Sequence, residues 1–259
     1  MKQAGSKISS YLAIKGAMSE TTYRAFLNWD LTRTTEENYQ DILATNSVGA
    51  SSFGWLKEFV RVLKQRYDLS EVDRPLIELV QQNWSLDEWR PVLLWHMSRT
   101  DDLLKTFLTE WLFEKHDSGI VVISTEPVSE FLQTLVKKRH GSDTFWTDNT
   151  YRRVASGLLK IATEFHLMRG RINKEFAAYR LPNRGFVYLL YALMDREQNT
   201  RKVVEASDWR LFLIKSAEVE EELLRLHQYG QLRFERAGSL LELTLPSGST
   251  TEFVRSTML

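Results

Sequence analysis

From Ser19 to about Tyr229 the apolar residues return every three or four positions, and only beyond that does the spacing shorten to two. A helical period sustained over that length commits the chain to a mainly α, multi-helical globular fold. On a strand the same residues would scatter over both faces. With 12 Gly and 5 Pro in 259 residues there are few interruptions, so long disordered linkers are not expected.

The stretch SSFGWLKEFVRVLKQRYDL, residues 51–69, shows the pattern most clearly. Trp55, Leu56, Phe59, Val60, Leu63 and Tyr67 fall on one helical face, which Ser51 or Ser52 can cap. Lys57, Arg61 and Lys64 recur on an adjoining stripe, Arg66 lies nearby, and Glu58 is the only acid in the helix. That stripe fits either an ordinary solvated face or a surface lying along phosphates. Upstream, Ser19 can cap a helix running to Trp29, and Thr34 or Thr35 a second one with Glu36 and Glu37 in its first turn. Three short helices with a basic last member have the shape of a helix-turn-helix unit.

The shape recurs over 124–174. A helix from about Pro127 ends in Lys137, Lys138, Arg139 and His140 at Gly141. A second helix, capped near Asp148 or Asn149, turns Tyr151, Val154, Leu158, Ile161 and Phe165 inward and Arg152, Arg153, Ser156 and Lys160 elsewhere. Arg169, Arg171 and Lys174 follow it. Between the two units, Ser85 and Glu88 form a capping box, Pro91 marks a first turn or a kink, and Thr100 with Asp101 and Asp102 caps a further helix. Trp84, Trp89, Trp95 and Trp111 recur among Leu and Val at helical spacing and read as core.

After helices near 183–196 and 216–229, GQLRFERAGSLLELTL alternates, turns at Ala237-Gly238 and alternates again, which predicts a β-hairpin. Helices followed by one hairpin are winged-helix-like. The helix before this hairpin, however, carries Glu218, Glu220, Glu221 and Glu222 at the end that a recognition helix offers to DNA. This wing therefore reads as structural or protein-binding, despite Arg233 and Arg236. The expected organisation is 1–70, a helix-turn-helix-like unit; 71–123, an acidic scaffold; 124–180, a second basic unit; and 181–259, a winged-helix-like unit, packed as one or two compact domains.

Formal charge is zero, with 34 Lys/Arg against 34 Asp/Glu, but it is segregated. Residues 71–136 hold five Lys/Arg and twelve Asp/Glu, whereas 137–184 hold eleven and four. Such a chain has a directional surface. The absence of Cys removes disulfides and thiolate chemistry, and fits a cytoplasmic location. MKQAGSKISSYLAIKGAM has no continuous apolar run of the kind a signal peptide needs. The longest apolar run, FVYLLYALM, has nine residues against the roughly 20 that span a bilayer.

Enzyme signatures are missing. No P-loop, dinucleotide fingerprint or Gly-x-Ser-x-Gly elbow occurs, and His96, His116, His140, His166 and His227 have no metal-ligand spacing. The expectation is a protein with no catalytic residue, cofactor or metal, although spacing alone leaves a carboxylate-based metal site open.

Several stretches in order resemble the BrxA family, a core component of bacteriophage exclusion (BREX) defence systems. They are YLAIKGAMSETTYRAFLNW, WSLDEWRPVLLWHMSR, VSEFLQTLVKKRH with WTDNTYRRVASGLLKIA, FVYLLYALM, SDWRLFLI and LLRLHQYGQLRFERAGSLLELTL. The resemblance implies a mostly helical, non-enzymatic protein that binds double-stranded DNA beside helix-turn-helix elements, with methyltransferase and ATPase parts on other chains. On that reading Lys57, Arg61, Lys64 and Arg66 form one phosphate-contacting surface, and Arg152, Arg153, Lys160, Arg169, Arg171 and Lys174 another. No residue set supports tight base readout. An adapter for other defence subunits and a regulator of its own locus are the alternatives. The lack of a long heptad seam argues against a coiled-coil dimer, and a monomer is expected.

Overall fold

A computed structural model describes residues 9–141, 145–238 and 240–256. The fold is mainly helical. It opens with α1 (Ser10–Lys15), capped by Ser9, and α2 (Ser19–Leu27). Ser19 is the first buried residue of α2 rather than its cap, because Met18 enters the helix in left-handed backbone at φ 55°. The helix also stops short of Trp29. α3 (Thr35–Thr45) begins with a reciprocal box in which the Thr34 hydroxyl accepts the Glu37 N–H and the Glu37 carboxylate accepts that of Thr34. α4 (Phe53–Arg66) is capped by Ser52. It buries Leu56, Phe59, Val60 and Leu63 as the spacing predicts, and Val62 besides, while Trp55 stays partly exposed and stacks on Phe59.

The scaffold continues with α5 (Pro75–Gln81) and α6 (Leu86–Thr100), the latter opened by the Ser85/Glu88 box. Pro91 lies inside α6. A glycine, Gly185, packs against its ring, and a Cβ there would meet Pro91 at 3.2 Å. α7 (Asp102–Thr106), capped by Asp101, runs through a π turn at Phe107–Leu112 into α8 (Phe113–Asp117), so one helical rod covers 102–117.

Next come β1 (Val122–Ile123) and α9 (Thr125–His140), which ends at Gly141 in left-handed backbone. α10 (Asp148–Glu164) is capped by Thr147, one residue before the expected Asp148. It leads into β2 (Met168–Arg169) and β3 (Lys174–Phe176). These strands form an antiparallel sheet in the order β1-β3-β2, with Glu175 opposite Val122 on one side and Arg169 on the other. The chain then forms α11 (Asn183–Glu197), α12 (Thr200–Val204), a 3-10 turn at Ser207–Phe212 and α13 (Ser216–Gln228). The predicted hairpin follows as β4 (Arg233–Ala237) and β5 (Leu240–Thr244), and then α14 (Thr250–Ser256).

One apolar cluster extends from Ala13 to Val254. Trp84, Trp89 and Trp95 are buried in it and Trp111 packs against it. The Trp89 indole donates to the Leu76 carbonyl and that of Trp95 to Asp208, each at 2.9 Å, so these two enter the core with their N–H groups satisfied, whereas the buried Trp84 Nε1 has no hydrogen-bond partner among the described residues. Among the described residues no helix is long and apolar enough to cross a membrane.

Under this core His96 bridges Asp73 and Tyr188, with Nδ1 2.5 Å from Asp73 Oδ1 and Nε2 2.7 Å from the Tyr188 hydroxyl. A neutral imidazole fits both partners: Nδ1–H donates to Asp73, and Nε2 is left to accept from the tyrosine hydroxyl. Burial, the largest influence, holds the His96 pKa below its ordinary value despite the pull of Asp73. The unfolded chain therefore binds a proton here more readily than the folded one. Stability is full above the unfolded value, about 6.5, and is lost as pH falls from there toward the folded value. The melting temperature is expected to drop between about pH 7 and pH 5. A His96→Gln variant, less stable at neutral pH, should show a flatter profile across that window, and an unchanged slope would assign the transition to other groups.

Candidate nucleic-acid interface

α1 joins the two basic helices. On one side Tyr11 and Lys15 both reach Glu58 of α4, at 2.8 and 2.5 Å, and the Arg61 guanidinium lies over the Tyr11 ring. Hydrogen bonds from Lys15 and then Tyr11 hold the Glu58 carboxyl below the usual range. On the other side Ala17 N–H donates to Glu164 of α10 at 2.8 Å, and Gly157 lies directly against the Ala13 carbonyl. A Cβ at Gly157 would stand 2.2 Å from that oxygen. In an open helix Gly→Ala stabilises by about 1 kcal/mol. Here the sign reverses, and Gly157→Ala is expected to cost about 1–3 kcal/mol by forcing α1 off α10, measurable as a lowered denaturation midpoint.

Arg66 requires a correction. It is 2% exposed and faces inward, donating from Nη1 to the Ala17 carbonyl at 3.0 Å and from Nη2 to Leu12 and Gly16 at 2.9 and 2.5 Å. It therefore fixes the C-terminal end of α1 and offers nothing to a phosphate. The reason lies in the helical wheel: position 66 is about 200° from Lys64 and shares the buried stripe of Phe59 and Leu63. The remaining α4 cations are exposed but unequal. Lys64 is engaged by Glu36 at 2.7 Å, Arg61 is 4.0 Å from Glu58, and Lys57 rests over Phe53 without an acid partner among the described residues.

On α10, Asn149, Arg152, Arg153, Ser156 and Lys160 make one exposed stripe, and none of its three cations has an acid partner among the described residues. Arg152 and Ser156 border a groove of about 610 Å³ shared with α9, where Glu126, Glu130 and Asp148 also stand. The Glu126 carboxyl is held low by a hydrogen bond with Ser124 and, more weakly, by the Arg152 charge. Arg153 lies one turn before Gly157, on the α1 side, and the Lys160 stem passes Gly16. These two are the cations of α10 farther from that acidic groove.

Arg169, Arg171 and Lys174 are not a tail to α10 but belong to the β2–β3 hairpin, with Arg169 and Lys174 on the strands and Arg171 in the turn. Arg171 is exposed and has no acid partner among the described residues, Arg169 reaches Glu175 at 3.3 Å, and the Lys174 ammonium donates to the Gly170 carbonyl. This hairpin was hidden in the sequence because its strands span two and three residues, too few to display a period of two. On the C-terminal hairpin, by contrast, Arg233 pairs with Glu235 and Arg236 with Glu220.

A family profile described as BrxA matches residues 9–192, well over half of the chain. The chain belongs to the BrxA family. Membership suggests a component of a BREX phage-defence system. The BrxA match takes in α1, α4, α10 and the β2–β3 hairpin and ends within α11, short of the β4–β5 hairpin. No curated protein matches the chain. Among the described residues, no group of three or more His, Asp or Glu side chains is placed to hold a metal ion.

Proposed function

We propose that this BrxA family protein is a non-enzymatic, double-stranded-DNA-binding component of the defence system, and that the duplex lies against α10 and the β2–β3 hairpin. The observation that carries the reading is the unpaired cationic stripe of α10, followed directly by a basic hairpin. What supports this placement is the order helix (102–117), β1, α9, α10, β2, β3, with the sheet running β1-β3-β2, which on this reading is a winged-helix arrangement in 102–176 rather than in the 181–259 unit expected from the sequence. In that arrangement the second helix of the pair enters the major groove. Arg153, Lys160 and Arg171 then contact phosphates, and α4 contributes a secondary set in Lys57 and Arg61. Such contacts orient the protein without reading sequence.

The test is a titration of a random-sequence duplex of about 25 base pairs, long enough to offer two turns of groove. Saturable binding to duplexes of unrelated sequence, with no single operator preferred, supports the reading. A protein that binds no duplex yet assembles with other defence subunits supports an adapter instead. That second reading has its own observation, the exposed Ile120, Val121 and Val122 along the β1 edge, which suit a protein partner.

A further inference from the structure

The tip of the β2–β3 turn carries Ile172, which at 82% is the most exposed large apolar side chain among the described residues. A single exposed aliphatic residue on a protein surface needs no explanation by itself. This one sits between exposed Arg171 and Asn173 on a turn held at both ends. Gly170 adopts φ 102°, where a Cβ would stand 2.4 Å from the Asn173 carbonyl, so only glycine closes the turn this tightly. The Lys174 ammonium donates to the Gly170 carbonyl at 2.6 Å, and Arg169 meets Glu175 across the strands. The apolar tip is thus presented on a fixed support, with cations on both sides.

We propose that Ile172 is a wedge that enters the minor groove and parts a base step, bending the duplex. This rests on the reading that the β2–β3 hairpin meets DNA. Minor-groove proteins insert apolar side chains between bases while Arg and Asn contact the groove edges, and the strip Arg171-Ile172-Asn173 has that composition in that order. Ordering the turn costs little on binding because it is already fixed. Pyrimidine–purine steps unstack most easily, so sites centred on TA are favoured over those lacking such a step. The preference comes from deformability and needs no base-specific hydrogen bond.

The experiment uses a duplex of about 30 base pairs, with dyes at both ends to report bending and 2-aminopurine beside a central TA step to report unstacking. Wild-type protein is expected to shorten the end-to-end distance and raise the 2-aminopurine signal. Ile172→Ala should melt like wild type, since the side chain packs on nothing, yet lose both signals and bind about tenfold more weakly. Its salt dependence should be unchanged because no charge is removed. Binding without bending by the wild type, or an alanine variant that bends and unstacks equally, overturns the wedge and leaves the DNA-binding reading standing. Wild-type protein that binds no duplex overturns both.

Discussion

Replacing Arg66 by alanine is expected to remove about 3–5 kcal/mol of folding stability, the largest loss from any single exchange considered for this chain. Three carbonyls at the end of α1, those of Leu12, Gly16 and Ala17, accept from one guanidinium inside the core. Leu12 lies in the last turn of α1, Gly16 is its C-cap and Ala17 is the residue after it, so the guanidinium meets the negative end of the helix dipole, where carbonyls are left unpaired. Alanine leaves the buried Gly16 and Ala17 carbonyls, and the partly buried one of Leu12, without this donor. Lysine supplies a charge but not the fork, so Arg66→Lys should recover only part of the loss. The Arg66 Nε has no hydrogen-bond partner, which places the expectation toward the lower end of the range. Equilibrium denaturation measures it. A loss below about 1 kcal/mol would mean that α1 is held by its apolar contacts alone.

The second large effect concerns binding. Reversing both Arg153 and Lys160 to glutamate is expected to weaken duplex affinity by roughly 100-fold or more at low salt and to reduce the salt slope by about 2. Both side chains are exposed, and neither has an acid partner among the described residues, so their charges are available and their loss leaves the core intact. Arg152→Glu should have a smaller effect, since Glu126, Glu130 and Asp148 already border its groove. Lys64→Glu should matter least among the α4 cations because Glu36 already engages Lys64. An equal effect per reversed charge in all three variants would point to overall charge rather than to a located surface.

How much of this was legible in the sequence depended on element length. α6 announced itself through the Ser85/Glu88 capping box, which needs only three-residue spacing, and α3 through a Thr34 or Thr35 cap with Glu36 and Glu37 in its first turn, where the structure selects Thr34 and pairs it with Glu37. The faces of α4 and α10 and the β4–β5 hairpin followed from periodicity over segments long enough to show a period. α1, with six residues, and the β1-β3-β2 sheet, with strands of two or three, are too short to produce one. Their existence is decided by tertiary contacts: Gly157 against Ala13, and Glu175 between Val122 and Arg169.

The same limit explains the candidate site. The exposed cations of α10 could be read from the wheel, and the burial of Arg66 was equally present there in its spacing from Phe59 and Leu63. Charge alone had grouped it with Lys57, Arg61 and Lys64. The pairing of Lys64 with Glu36, 28 residues away, required the fold. So did the placing of Arg169, Arg171 and Lys174 on a hairpin rather than a tail.

The central claim is that unpaired cations on α10 and the β2–β3 hairpin hold a duplex by its phosphates. It is tested most directly by fluorescence anisotropy with a random-sequence duplex at salt concentrations from about 50 to 200 mM. Three to five phosphate contacts predict that log affinity falls with log salt at a slope of about −3 to −5, and that the Arg153/Lys160 double reversal flattens it. Duplex affinity that is absent at the lowest salt, or that stays constant across the range, would contradict the account.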